Sequence, residues 1–87
     1  MQAFVITVIG GGNVVEGAHV DVKDSSHVII ASGTTDVHGQ TTLTTNNAGT
    51  YTAYGKKMMM DGEYIGEQTF ITDPSGTTNV TVTITKV

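Results

Sequence analysis

Apolar and polar residues alternate one by one along most of this chain. From Ala18 to Lys23 the order places Ala18, Val20 and Val22 on one side and His19, Asp21 and Lys23 on the other. Successive side chains of a strand point to opposite faces, so a period of two marks a half-buried β-strand. The same alternation predicts a strand over Gln40–Thr45, with Leu43 inward and Thr42 and Thr44 outward. It predicts another over Asn79–Val87, with Val80, Val82 and Ile84 facing Thr81, Thr83 and Thr85 across the pleat. His27–Thr34 reads as a strand with Val28 and Ile30 in the core. Gln2–Ile9 is apolar on both faces, which predicts a strand covered on both sides or laid against a partner chain. No window shows the i, i+3, i+4 apolar spacing of a helix.

Turn signals punctuate these runs: "GGGN" at Gly10–Asn13, "DSS" at Asp24–Ser26, "DVHG" at Asp36–Gly39, "NNAG" at Asn46–Gly49 and "DPSG" at Asp73–Gly76. Asp61-Gly62 carries the two-residue signal of a type I′ hairpin. Counting outward from it pairs Met60 with Glu63, Met59 with Tyr64, Met58 with Ile65, Lys56 with Glu67 and Ala53 with Phe70. The expectation is an all-β fold: a seven-stranded antiparallel two-sheet sandwich of Ig-like or prealbumin-like type, one domain over residues 1–87.

Composition narrows the function classes. The chain has four basic residues, all Lys, against eight acids, a formal charge of −4. Nucleic-acid binders displace counterions with a basic footprint, and Arg, which reads bases and clamps phosphates, is absent. No nucleic-acid partner is expected, and no membrane insertion, since the apolar start of the chain falls far below the roughly 20 residues of a span and lacks the basic flank of a secretory signal. Without cysteine the fold has no disulfide or thiolate metal site. The 87 residues allow one modest core.

Gly17-Ala18 opens an alternating strand, Thr34-Thr35-Asp36 with Gly39 makes a corner, Leu43 centres the next strand, and Ala48-Gly49-Thr50-Tyr51 leads into another. Through these residues the segment from Val14 to Met58 resembles the carboxypeptidase-regulatory-like or prealbumin-like β-sandwich modules, and more loosely bacterial and phage Ig-like domains. The resemblance implies the sandwich fold. It implies a spacer, adhesive, sugar-binding or virion role without selecting one. The Gly-Tyr that often follows the Tyr-containing strand in such modules is replaced here by "KKMMMDGEYIGE". The Lys–Asn isopeptide crosslink of some relatives needs a buried early Lys facing an Asn on the last strand; Lys23 falls on an outer face and Asn79 at that strand's start, which argues against it.

Candidate chemistry is sparse. Asp36 and His38 supply two ligands where a metal site needs three or four converging groups. Asp36 reads instead as an Asx-type turn with Gly39 providing positive φ. His19, Asp21 and Lys23 share a solvated strand face, and His27 sits at a turn edge. Gly10–Gly12 has no following helix or Lys-Ser/Thr and is no phosphate loop. Asn79-Val80-Thr81 fits the glycosylation triplet, a common chance match in a Thr-rich chain. No catalytic residues, cofactor or metal are expected, and the chain reads as a non-enzyme.

The oddity is "KKMMM" at Lys56–Met60, because three consecutive methionines on a strand cannot all face one core. Flexible, polarizable Met suits surfaces that mould to a partner. If the hairpin projects, Met58, Met60, Tyr64, Ile65 and, further along, Tyr54 are the contact residues; otherwise this end folds over the bottom of the sandwich. The expected function is a structural or interaction module that associates with itself or with a larger assembly, on a virion surface, a filament or a surface array. Its expected setting is thus a virion, or an extracellular or cell surface. The alternative is a carbohydrate-binding accessory or adhesin domain, for which Tyr54 and Tyr64 are the aromatics left over from the core.

Overall fold

A computed structural model describes all 87 residues, Met1–Val87. They form nine strands and no helix: β1 (Gln2–Gly10), β2 (Asn13–Val14), β3 (His19–Lys23), β4 (Ile29–Thr34), β5 (Gln40–Thr45), β6 (Thr50–Met59), β7 (Gly62–Ile71), β8 (Thr77–Thr83) and β9 (Thr85–Lys86). Two sheets result. In the first, β1 is central. β8 runs along one of its edges, over residues 3–9, while β5 and β2 share the other edge end to end. The second has the order β4-β3-β6-β7-β9.

The fold is thus all-β and sandwich-like, with two differences from the expected seven antiparallel strands. The two additional strands are two-residue pieces, β2 and β9. Gly11 and Gly12, both at positive φ (61° and 83°), close a tight hairpin that pairs Gly10 with Asn13, so "GGGN" joins two strands where a simple break was expected. The second difference is that β8 pairs with β1 in parallel. The chain leaves β7 in one sheet, turns at Asp73–Gly76, and enters the other sheet in the direction of β1.

The core follows the alternation closely. Phe4, Ile6 and Val8 from β1, Val20 and Val22 from β3, Ala53 from β6 and Val82 from β8 are fully buried. Phe4 packs between Tyr51 and Phe70, with ring centroids 5.3 and 5.0 Å away, and this aromatic cluster fills one end. Burying each such ring is worth roughly 1.5–3 kcal/mol. The outer face of β1 is half-buried, not covered by another layer: its Val5 and Thr7 stand between Thr42 and Gln40 of β5 and Asn79 and Thr81 of β8.

Three expectations are corrected. Val28 is exposed and lies before β4, because the β3–β4 register shifts at Val22/Lys23 and resets the alternation; Ala31 and Gly33 then face Val22 and Val20, while Ile30 still touches the core. The β6–β7 hairpin turns at Met60-Asp61, so Met59 pairs with Gly62, Met58 with Glu63, Lys56 with Ile65 and Tyr51 with Phe70. That is a two-residue slip from the expected register. A slip of two preserves faces, so Met58 and Ile65 still share the outer face, and Met59 and Tyr64 the inner one. The single terminal strand expected over Asn79–Val87 is divided at buried Ile84, where the chain leaves β1 for β7.

Candidate functional site

The "DVHG" corner is a turn, and its carboxylate is occupied by the backbone. Asp36 Oδ1 accepts N–H bonds from His38 (2.9 Å) and Gln40 (3.1 Å), and Gly39 N–H closes onto the Asp36 carbonyl. Gly39 is required twice over: its φ is 73°, and a Cβ there would fall 2.7 Å from Val14 Cβ. The corner recurs. Asp24 takes N–H bonds from Ser26 and Val28, Asp73 takes one from Ser75, and in each case the residue three positions on, His27 or Gly76, adopts positive φ and donates to the Asp carbonyl. Here Asp is a folding element. No three His, Asp or Glu side chains gather to hold an ion.

This arrangement carries a pH dependence. The N–H donors of Gln40 and His38 hold the Asp36 carboxyl below its ordinary 3.8, and the Ser75 backbone N–H, with the Ser75 hydroxyl beside it, does the same for Asp73. A carboxyl depressed in the folded state stabilises the fold above its unfolded pKa and loses that contribution as pH falls through the folded value. Stability is therefore expected to drop as pH falls below the ordinary carboxylate value of 3.8, and Asp36→Asn to flatten this acid limb. Urea midpoints across that range provide the check.

The outer face of the β4-β3-β6-β7 sheet holds the polar residues that the alternation placed outside. Register sets them in rows. One row runs Thr34, His19, Lys56, Ile65; the next runs Ser32, Asp21, Tyr54, Glu67. Between them lies a groove of about 370 Å³. Asp21 Oδ1 accepts from Ser32 Oγ at 2.7 Å and lies 2.9 Å from His19 Nε2. Serine, histidine and aspartate therefore meet, but both partners sit on the acid. A nucleophilic serine needs the imidazole on its own hydroxyl, so this is not the geometry of a catalytic triad. Lys23 Nζ lies 4.7 Å from the Tyr54 ring centroid, an exposed cation–π contact worth about 0.5–1 kcal/mol.

Further along the same face, the hairpin end is apolar. Met58 is 64 % exposed, Ile65 46 % and Val87 77 %, and Met60 at the turn is fully open. Lys56 and Glu63 pair among them at 3.2 Å. Met59 and Tyr64 are turned inward against the core. The Tyr64 hydroxyl donates to Asp61 Oδ2 at 3.0 Å, and this bond to a carboxylate raises the phenol's pKa. Of the five contact candidates, Met58, Met60, Ile65 and Tyr54 thus stand on or beside the open face, while Tyr64 braces the hairpin from within. Val87, Ser32 and Glu67 belong to this face as well. Val87 arrives only because β9 joins β7, Val87 N–H bonding the Glu63 carbonyl at 2.9 Å, a pairing that alternation alone does not reveal.

No protein-family model matches this chain, and no curated protein matches it.

Proposed function

We propose that this chain is a non-enzymatic interaction module that joins copies of itself, or docks onto a larger assembly such as a virion surface, a filament or a surface array. Its contact surface is the hairpin end of the β4-β3-β6-β7-β9 sheet. The observation that carries the reading is the grouping of Met58, Met60, Ile65 and Val87 on one exposed end. Contiguous exposed apolar surface is costly to keep in water and marks interaction sites. The end is also held in place beforehand: Met59 and Tyr64 anchor it to the core, and Lys86 Nζ stands 3.9 Å from Asp61 Oδ2. A contact surface that is already ordered loses little entropy on binding. The uncharged, proline-free edge of β4 offers a further place for a neighbouring strand to add.

We read the sandwich itself as a carboxypeptidase-regulatory-like or prealbumin-like module. Supporting this, the residues that carry the resemblance hold the fold: Asp36 and Gly39 make the corner, Leu43 and Tyr51 lie in the core, and Thr35 is buried in a hydrogen-bond clamp.

Sedimentation velocity over a concentration series tests the contact surface. The wild-type chain is expected to associate, and Met58→Asp or Ile65→Lys to weaken association about tenfold or more without changing the unfolding midpoint. A wild-type chain that stays monomeric up to millimolar concentration, with no particle or filament retaining it, would overturn the proposal.

A further inference from the structure

We propose that the groove on the outer face of β3, β6 and β7 binds a neutral oligosaccharide, with the Tyr54 ring as the platform and Asp21, His19 and Glu67 as hydrogen-bonding partners for its hydroxyls. This goes beyond association at the hairpin end and does not rest on it.

Four observations converge. The groove, at about 370 Å³, is within the size range of small-molecule sites. At its centre is the ring of Tyr54, half-buried at the sheet surface, whose hydroxyl makes no hydrogen bond within the chain. Aromatic faces suit the C–H side of a pyranose because they are flat, apolar and rigid. Charge around the ring is nearly balanced: Lys23 and Lys56 stand against Asp21, Glu67 and the Lys56 partner Glu63, a small negative excess that draws neither a phosphate nor a polyanion. The lining instead offers donors and acceptors side by side, which matches vicinal hydroxyls that both donate and accept.

The hydrogen-bonding groups are partly held in position. Ser32 and His19 both fix the Asp21 carboxylate. Lys56 is drawn toward Glu63 and away from the centre. Glu67, next to Tyr54 in the row, makes no hydrogen bond or ion pair with the rest of the chain and is free to accept from a ligand. Lys23 over the ring is the one group that must swing aside, and it does so at an exposed contact. All these side chains stand on paired strands, so the platform does not have to form on binding.

The test is a ¹⁵N NMR titration of the intact chain with maltotetraose, cellotetraose and chitotetraose, and with sialyllactose as an anionic comparison. Support requires that at least one neutral probe shift amides of β3, β6 and β7, that Tyr54→Ala weaken this at least about tenfold, and that Glu67→Gln weaken it less. Both positions are on the outer face, and an unchanged spectrum away from the groove shows that the variants fold. Met58→Asp should leave sugar binding intact, which separates this result from the fate of the assembly reading. Absence of binding by every neutral probe, binding by sialyllactose alone, or binding indifferent to Tyr54→Ala would each overturn the proposal.

Discussion

Gly66→Ala is expected to destabilise the protein by about 3 kcal/mol or more, a large share of a small domain's stability. A Cβ at Gly66 would lie 2.0 Å from the Thr83 carbonyl oxygen, 2.8 Å from its carbon and 3.1 Å from Ile84 Cα. All three are backbone atoms, so no rotamer change relieves the clash. They also belong to the point where the C-terminal segment leaves β1 and joins β7. Moving that point pulls Ile84 from its buried site, strains the 2.8 Å bond from Ile84 N–H to the Ile9 carbonyl, and draws β9 off Tyr64 and Ile65. Gly55→Ala provides the comparison. Its Cβ would meet Ile84 Cγ2 and Val82 Cγ1 at 3.2 Å, side-chain methyls that can give way, and a loss of roughly 1–2 kcal/mol is expected there. Urea denaturation of the two variants against the wild type decides it; equal, small losses would mean that the strand crossing is softer than the geometry shows.

The crossing at Ile84 also shows where the sequence stops being readable. Alternation assigns Val80, Val82 and Ile84 inward correctly, because burial depends on which side of the pleat a residue occupies. It cannot tell that Thr83 and Thr85 pair with different sheets, since either pairing leaves the same residues inside. The hairpin follows the same logic. Its slip of two residues keeps every face, so Met58 with Ile65 on one side and Met59 with Tyr64 on the other are legible; that the second side is the inner one is not, and Tyr64, a contact candidate by sequence, packs against the core. Nor is the partner of Lys56 legible: the ion pair falls to Glu63 where Glu67 was expected. That difference leaves Glu67 unpaired beside Tyr54 and gives the groove its free acceptor. Only where the register shift at Val22/Lys23 breaks the period does a face assignment itself fail, at Val28. The site is thus half visible in the chain. His19, Asp21, Lys23 and Tyr54 could be placed on outer faces from local pattern. That they share one face with Ser32 and Glu67 is a fact of strand order.

Thr35→Val is the substitution in which shape and hydrogen bonding make opposite demands. Thr35 is 4 % exposed, and its hydroxyl donates to the Val15 carbonyl at 2.6 Å while accepting from Ala18 N–H at 2.8 Å. Its backbone adds two further bonds to the same loop, Thr35 N–H to the Ala18 carbonyl and Gly17 N–H to the Thr35 carbonyl. The residue clamps the Val15–Ala18 segment to the end of β4. Valine matches the volume and is more apolar, yet it leaves one donor and one acceptor without a partner in a place closed to water. At about 1–3 kcal/mol for each unsatisfied group, a loss of roughly 2–6 kcal/mol is expected. Serine keeps both bonds and gives up one methyl, for about 1 kcal/mol. The ranking Thr, then Ser, then Val reverses what burial of apolar surface alone would give. Hydrogen exchange adds a local reading: in Thr35→Val the Ala18 amide should lose protection by more than the global change in stability accounts for, because its acceptor is gone even in the folded state. If Val proves as stable as Ser, the clamp contributes packing alone, and the Thr-Thr-Asp corner is held by Asp36 and Gly39 without it.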